Sequence, residues 1–447
     1  MLSPHVFHRT PRSGLPVAVA GEGIWLIDAD GRRYIDACGG AAVSALGHGH
    51  RRIAEAIAQQ AQRLAYANSS FFANAPAEAL ATVIAAQCPG ALDRVWFTSS
   101  GSEAVEAAIK LARQYHLERG EAQRTRVIAR RQSYHGNTLG ALSAGGHPAR
   151  RAAYAPLLID VSLIEPCFAY HHARPDETPQ AYGLRAAAAL EAQLLRLGPD
   201  TVMAFLAETV VGATAGAVPP VPGYLAAVRA ICDRHGVLLI LDEVMCGSGR
   251  TGTFLACEQD GVTPDIATIA KGLGAGYQPI GAVVCTGAIY DTIAAGSGAL
   301  MHGQTYNAHP VGCAAALAVQ AVIRDEALLD KVVAGGRYLR DSLQARLGQH
   351  GHVGDIRGRG YLQAVEFVAD RAGRAPFDPA LAVNQRIKVA AFARGLMVYP
   401  GGGTVDGLRG DHVVLAPPYN ASHDELDLIV ERLGEAVDAV FAGEFAR

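Results

Sequence analysis

The sequence predicts an α/β fold: a mostly parallel central sheet flanked by helices, joined to a smaller α+β unit built from both ends of the chain. Short apolar runs at 95–98, 127–129, 203–207 and 237–241 alternate with helical stretches such as 103–117 and 223–235. The runs lack the strict alternation of half-exposed strands, as expected when helices cover both faces, and their connections are too long for hairpins. Parallel pairing follows. After an Ala-rich helix near 311–324 the pattern changes to helix 330–348, strand 361–368, helix 382–394, strand 411–416 and helix 422–442. At the other end, residues 21–36 alternate around a D-A-D-G turn, the pattern of a hairpin, which is expected to join that C-terminal unit. The expected division is therefore 66–325 for the large unit, with 1–65 and 326–447 forming the smaller one. Residues 165–185, rich in Pro, His, Asp and Gln, read as an irregular surface excursion, and no internal repeat is present.

Composition narrows the function. The 447 residues can bury a large core, and a net charge of −3 with interspersed signs offers no basic stripe for nucleic acid or an anionic membrane. Half the residues are hydrophobic, yet no uncharged apolar stretch of about 18 to 20 residues suggests a bilayer span. A small-molecule partner is expected. Residues 1–12, M-L-S-P-H-V-F-H-R-T-P-R, lack the apolar core of a secretory signal, which makes the cytoplasm the default expectation. The eight cysteines lie far apart with no C-x-x-C pair and read as reduced and mostly buried. His48/His50 and His171/His172 lack clustered thiolates or carboxylates, so they read as structural histidines and no metal site is expected.

Three features carry the chemistry. Residues 95–98 read as a strand, Ser99-Ser100-Gly101-Ser102 as a tight loop and Glu103 onward as a helix. Backbone N–H groups at such a helix start, with two hydroxyls, can bind a phosphate; the alternative is an ordinary N-cap serine. Next, the run 237–241 delivers Asp242 and Glu243 at the carboxyl end of a buried strand, where ligands bind in open α/β sheets. A pyridinium N–H would give Asp242 the partner its burial demands; otherwise it caps the following loop. Finally, the run 266–270 ends on Lys271, followed by Gly-Leu-Gly-Ala-Gly. A buried strand rarely delivers a lysine unless its amine is used, and a Schiff base to an aldehyde is one such use, against a lysine that snorkels to solvent. Together the three suit a phosphorylated pyridine aldehyde, and their conjunction is far more specific than any one alone.

The chain resembles the class III aminotransferases, the ω-transaminase or amine:pyruvate transaminase branch of fold type I pyridoxal-phosphate enzymes. The matching stretches are F-T-S-S-G-S-E-A-V-E-A-A-I-K-L-A-R, S-Y-H-G-N-T, L-L-I-L-D-E-V-M-C-G-S-G-R-T-G, I-A-T-I-A-K-G-L-G-A-G-Y-Q-P-I-G and G-Q-T-Y-N-A-H-P. The resemblance implies that Ser100, Gly101 and Ser102 hold the phosphate of pyridoxal 5′-phosphate. Tyr134 would stack on one ring face and Val244 pack on the other, with Asp242 on the ring nitrogen and Lys271 as the catalytic lysine. His135 is counted as a neighbour of the cofactor. Glu208 matches a glutamate close to it, with a structural hydrogen-bonding role equally open. Thr305 would reach the phosphate bound by a neighbouring subunit, which implies a homodimer or dimer of dimers with shared sites.

The same resemblance implies ping-pong transfer from an amine to a keto acid. An isomerase on the same scaffold, an aminomutase or racemase, would share every cofactor residue. A non-catalytic regulator would be expected to lack Lys271 or Asp242. Two departures bear on substrate. Where the ornithine, acetylornithine and γ-aminobutyrate branches carry a glutamate that pairs with a substrate-binding arginine, this chain has Ala213. Arg409, in G-L-R-G-D-H, resembles the mobile carboxylate-binding arginine of amine:pyruvate transaminases, the alternative being a solvated loop arginine. Ala41 and Ala42 stand where relatives often carry Leu-Trp, which suggests a roomier pocket for a bulky amine.

Overall fold

The apolar runs become strands whose carboxyl ends point to one edge of a single large sheet, and that alignment positions everything described below. A computed structural model of the chain describes residues 5–10 and 14–443. Of the N-terminal stretch read above for a secretion signal, residues 1–4 and 11–12 therefore lie outside the described residues.

The chain opens with an antiparallel meander of β1 (Ala18–Glu22), β2 (Trp25–Asp28) and β3 (Arg33–Asp36). The D-A-D-G turn closes because the Asp28 carboxylate accepts the N–H groups of Asp30 at 3.0 Å and Arg32 at 2.9 Å, while Gly31 takes φ +80°.

The central sheet holds β4 (Leu92–Thr98), β5 (Arg126–Arg130), β6 (Val161–Ile164), β7 (Val202–Glu208), β8 (Leu238–Asp242), β9 (Ile266–Ile269) and β10 (Gly281–Thr286). Their order is β4-β10-β9-β8-β7-β5-β6. The run from β9 to β6 is parallel, and β10 lies antiparallel to both of its neighbours. Every residue of β7, β8 and β9 is buried, which is why these segments read as unbroken apolar runs. The helix Gly101–Glu118 covers one face through Ala104, Ala108, Leu111 and Ala112, packed with Ile240 and Val283. Leu190 and Leu194 of the helix Pro179–Leu197 and Val228 of the helix Tyr224–His235 pack with Phe205 and Leu239 on the other face. Each such buried side chain contributes roughly 1.5–3 kcal/mol.

The C-terminal part forms an antiparallel sheet of β11 (Val353–Arg359), β12 (Leu362–Phe367), β14 (Tyr399–Gly402) and β15 (Asp411–Leu415), in the order β11-β12-β15-β14. Between them, β13 (Leu396–Met397) pairs in parallel with β3, Leu396 opposite Ile35. The predicted joining of the two ends is thus a backbone ladder. It is also one core, in which Ile24, Ile35 and Ile53 pack with Leu339, Phe367, Val413 and Leu433.

The stretch 165–185 differs from expectation. It contains a short helix, Ala169–His172, and the first turns of the helix Pro179–Leu197, capped where Thr178 accepts the Ala181 N–H at 3.1 Å. Phe168 and Tyr182 are buried, and the Tyr182 hydroxyl accepts the Phe168 N–H at 2.7 Å. Polar composition concealed two aromatic anchors. Of the two histidine pairs, His171 pairs with Glu366 at 2.6 Å and His48 with Asp36 at 3.2 Å. All eight cysteines are unpaired, and all but Cys88 are buried. Among the described residues no helix is long and apolar enough to cross a membrane.

Candidate active site

Parallel register brings the carboxyl ends of β7, β8 and β9 side by side: Glu208 lies opposite Asp242, and Asp242 opposite Thr268. A cavity of about 270 Å³ opens there. Asp242 is buried and accepts three hydrogen bonds, from His135 Nδ1 at 2.8 Å, the Val244 N–H at 3.0 Å and the Thr268 hydroxyl at 3.2 Å. One carboxylate is thereby fixed in position in a dry setting. Its neighbour Glu243 turns away from the cavity, accepting the Thr209 hydroxyl at 2.6 Å and the N–H groups of Ala256 at 2.8 Å and Cys257 at 3.0 Å.

Lys271 follows the end of β9 and takes φ +43°, a left-handed conformation that costs a non-glycine residue about 1–2 kcal/mol. Its carbonyl accepts the N–H groups of Gly274 at 3.2 Å and Ala275 at 2.9 Å, which hold the turn and aim the side chain into the cavity. Burial pushes the amine below its ordinary 10.5, while the carboxylates of Asp242 and Glu208 act in the opposite direction. Glu208 accepts the Tyr134 N–H at 3.1 Å and the Gly212 N–H at 2.9 Å, and burial pushes its carboxyl upward. It ties the backbones at Tyr134 and Gly212 together and also lines the cavity.

The loop after β4 forms a reciprocal cap: the Glu103 N–H donates to Ser100 Oγ at 3.3 Å, and the Ser99 N–H donates to Glu103 Oε2 at 2.8 Å. Ser102 Oγ donates to Asn137 Oδ1 at 3.0 Å and accepts the Asn137 N–H at 3.1 Å, joining this loop to the one that carries Tyr134. A Cβ at Gly101 would lie 2.7 Å from Val244 Cγ1, and one at Gly136 (φ +137°) 2.7 Å from Ser102 Oγ. Close approach at both places demands glycine. Tyr134 and Val244 line the cavity with Ser100, Gly101 and Ser102, and the Arg150 guanidinium covers the Tyr134 ring at 4.6 Å from its centroid. These groups fit a planar phosphorylated pyridine aldehyde: a helix start with hydroxyls for a dianion, an aromatic and a branched aliphatic wall, a fixed carboxylate and a desolvated amine.

Four expected residues lie outside this constellation. Thr305 is exposed in a separate polar cleft, where its carbonyl accepts the Tyr66 hydroxyl at 3.0 Å. Arg409 is exposed and ion-paired, its Nε 2.7 Å from Asp406 Oδ2. Ala41 and Ala42 do not line the cavity; Val43 does. Gly40 (φ +66°) and Ala42 (φ +62°) break the helical turn there, and Ala42 packs among Val210, Ala213 and Met245 instead. Two contributors were missed. Thr268 lies on β9, three residues before Lys271, and its register with Asp242 could have pointed to it. Arg130, fully buried at the end of β5, donates to the Glu208 carbonyl; the reasoning applied to a strand-delivered lysine applies to it equally.

Residues 9–437 match the family model of the class-III aminotransferases. The chain is a class-III aminotransferase. It is 44% identical over 439 residues to an uncharacterized aminotransferase of Schizosaccharomyces pombe, covering 98% of this chain and 96% of that one. Among solved structures it is similar to an (S)-enantioselective ω-transaminase from Thermomicrobium roseum, with TM-score 0.91 and 37% identity over 98% of this chain and 96% of that one. The ω-transaminase of Pseudomonas jessenii in complex with PMP superposes with TM-score 0.92 at 32% identity, over 99% of this chain and 96% of that one. The aminotransferase therefore has the fold of the type I pyridoxal-phosphate enzymes and depends on pyridoxal 5′-phosphate.

Proposed function

We propose that this aminotransferase moves the amino group of a primary amine, including amines without an α-carboxylate, to a keto acid, with pyruvate as acceptor, in two half-reactions that share one site. The observation that carries this reading is the cavity wall. Among the described residues it includes Val43, Ala213, Met245 and Ile280 beside the polar groups, and no arginine. An apolar amine can enter without burying an unpaired guanidinium, which would cost several kcal/mol.

When bound, pyridoxal phosphate supplies an aldehyde that takes up the amine and a ring that takes up electrons as a C–H bond breaks. The protein's residues do the rest. Lys271 would hold the cofactor through Nζ and, as the free amine that desolvation favours, would move a proton with that same nitrogen. Asp242, fixed by His135, Val244 and Thr268, holds a proton on the ring nitrogen. Ser100, Gly101 and Ser102 bind the phosphate, and Tyr134 and Val244 fix the ring plane, with Glu208 holding the Tyr134 backbone. Thr305, exposed here, completes the phosphate site of a neighbouring subunit. We take 66–325 as the cofactor-binding unit and 1–65 with 326–447 as the smaller one, and the unpaired cysteines suit the cytoplasm.

Arg409 is the switch between substrates. Its pair with Asp406 is exposed and worth no more than about 1 kcal/mol, so a keto acid's carboxylate can compete for the guanidinium. Ala213 leaves no glutamate to hold it inside. Arg409→Ala is expected to slow the pyruvate half-reaction by roughly 10- to 100-fold while the amine half-reaction keeps its rate, each followed by the cofactor's absorbance in single turnovers. Equal loss in both halves, or strict dependence on α-amino acid donors, would overturn the reading.

A further inference from the structure

The loop that follows β8 carries a buried charge with no part in the chemistry above. It turns back through positive φ at Ser248 (+53°), Gly249 (+95°) and Gly252 (+102°), and Arg250 between them is only 1% exposed. Its Nη1 donates to the carbonyls of Pro417 at 2.5 Å and Tyr361 at 3.4 Å, while Nε and Nη2 have no partner among the described residues. In place of a carboxylate, the guanidinium lies over the Tyr419 ring, 4.7 Å from its centroid. A cation buried in this way is costly, because carbonyls and a ring face restore only part of its lost hydration. Burial pushes its pKa down, yet an arginine keeps its proton.

Tyr419 leads from this charge to Lys271. Its hydroxyl donates to the Ser248 carbonyl at 3.0 Å. Gly272, next to Lys271, packs on both residues: a Cβ there would lie 3.1 Å from the Tyr419 hydroxyl and 3.2 Å from Ser248 Cβ. The turn that aims Lys271 into the cavity therefore rests on the ring that also carries Arg250. Arg250 reaches the C-terminal sheet as well, since its carbonyl accepts the Tyr361 N–H at 3.1 Å just ahead of β12 and Pro417 follows β15. Burial has the largest effect on the Lys271 amine and favours its neutral form; Asp242, Glu208 and Cys246 oppose burial, and among these groups only Arg250 acts with it. Asp36 acts on Arg250 through space but is already engaged by the Gly40 N–H at 3.0 Å and His48 Nε2 at 3.2 Å.

We propose that Arg250 is a positioning residue for Lys271: with Tyr419 it forms a platform under the Lys271–Gly272 turn, ties that turn to the C-terminal sheet and sets a permanent positive charge near the amine. The charge offsets the pull of Asp242 and Glu208 toward an ammonium. This rests on the role given to Lys271 above.

The test uses the full chain freed of cofactor. The sequence contains four lysines, of which Lys331 and Lys388 are exposed and serve as references, so trace acetylation across pH with peptide mass spectrometry reads Lys271 separately. In Arg250→Gln, which can still donate to a carbonyl but has no charge, Lys271 is expected to titrate at least roughly 0.5 pH higher than in wild type. In Arg250→Lys, which keeps the charge and loses the planar fork, it is expected to stay within roughly 0.2 pH of wild type. The acid limb of the amine half-reaction in the holoenzyme should move upward in Arg250→Gln alone. A rise in neither variant, or an equal rise in both, overturns the proposal, because loss of a merely structural arginine would not distinguish them by charge. Should Arg250→Gln not fold, Tyr419→Leu removes the ring and admits water to the guanidinium; Lys271 is expected to titrate higher there too, and a wild-type profile overturns the proposal. Borohydride reduction of the wild-type holoenzyme with peptide mapping tests the role of Lys271 separately: cofactor found on another lysine overturns that role, even where the Lys271 amine still responds to Arg250.

Discussion

Lys271 combines two costs in one residue, a left-handed backbone and an amine held out of water. The second has a pH signature. With its folded pKa below 10.5, the folded protein binds fewer protons than the unfolded chain at intermediate pH, so stability rises with pH across that interval. The penalty is full below the folded pKa and gone above about 10.5. Cofactor-free Lys271→Met should therefore unfold at a higher temperature than cofactor-free wild type near neutral pH, and the gap should narrow as pH rises toward 10.5 in differential scanning calorimetry. A gap that widens with pH would contradict the assigned environment. At this scale Lys271 and Asp242 were legible because a charged residue at the end of an apolar run is conspicuous in sequence. The cavity-lining position among residues 41–43 was not, because it depends on the positive φ angles of Gly40 and Ala42, which rotate Val43 inward.

Among the elements, the helix Gly101–Glu118 has the most direct consequence for the site, since its first turn is both a cap and a wall. The 2.7 Å approach of a Cβ at position 101 to Val244 predicts that Gly101→Ala pushes Val244 into the space of the ring. Cofactor affinity should fall at least roughly tenfold, measured by equilibrium dialysis, with the thermal stability of the cofactor-free protein changed by less than about 1.5 kcal/mol, since overpacking and helix propensity act in opposite directions. Strand elements were legible wherever burial on both faces left apolar runs. The first turns of the helix Pro179–Leu197 were not, because local composition says nothing of Tyr182 reaching Phe168. Nor does sequence periodicity show that β10 runs antiparallel, which is fixed by its place between β4 and β9.

For the molecule as a whole, Thr305 lies beside an exposed apolar surface. Tyr66 and Tyr306 meet edge to face at 6.1 Å, and Phe71, Phe72 and Met301 are 80%, 67% and 78% exposed. A surface of this kind suits an interaction site, and the proposed sharing of sites requires a second copy to bring each Thr305 to the other subunit's cavity. Mixing inactive Lys271→Ala with inactive Thr305→Arg subunits should recover activity as heterodimers form, because one of the two sites then contains both intact residues. A fully active monomer in sedimentation velocity would refute shared sites. The pairing of β3 with β13 adds that the smaller unit cannot form until the last third of the chain is made, so its N-terminal strands must wait for their partner.

The cysteines have a practical bearing unrelated to transfer of amino groups. Burial pushes every thiol upward, those of Cys88, Cys232, Cys285 and Cys313 to about 12, so almost no thiolate is available to an alkylating or oxidising reagent. Modification of the seven buried thiols must then wait for the chain to open, and each of those sites keeps time for its own neighbourhood. Spread from Cys38 to Cys313, they make the native sequence its own set of local clocks, readable by mass spectrometry without introducing a single label.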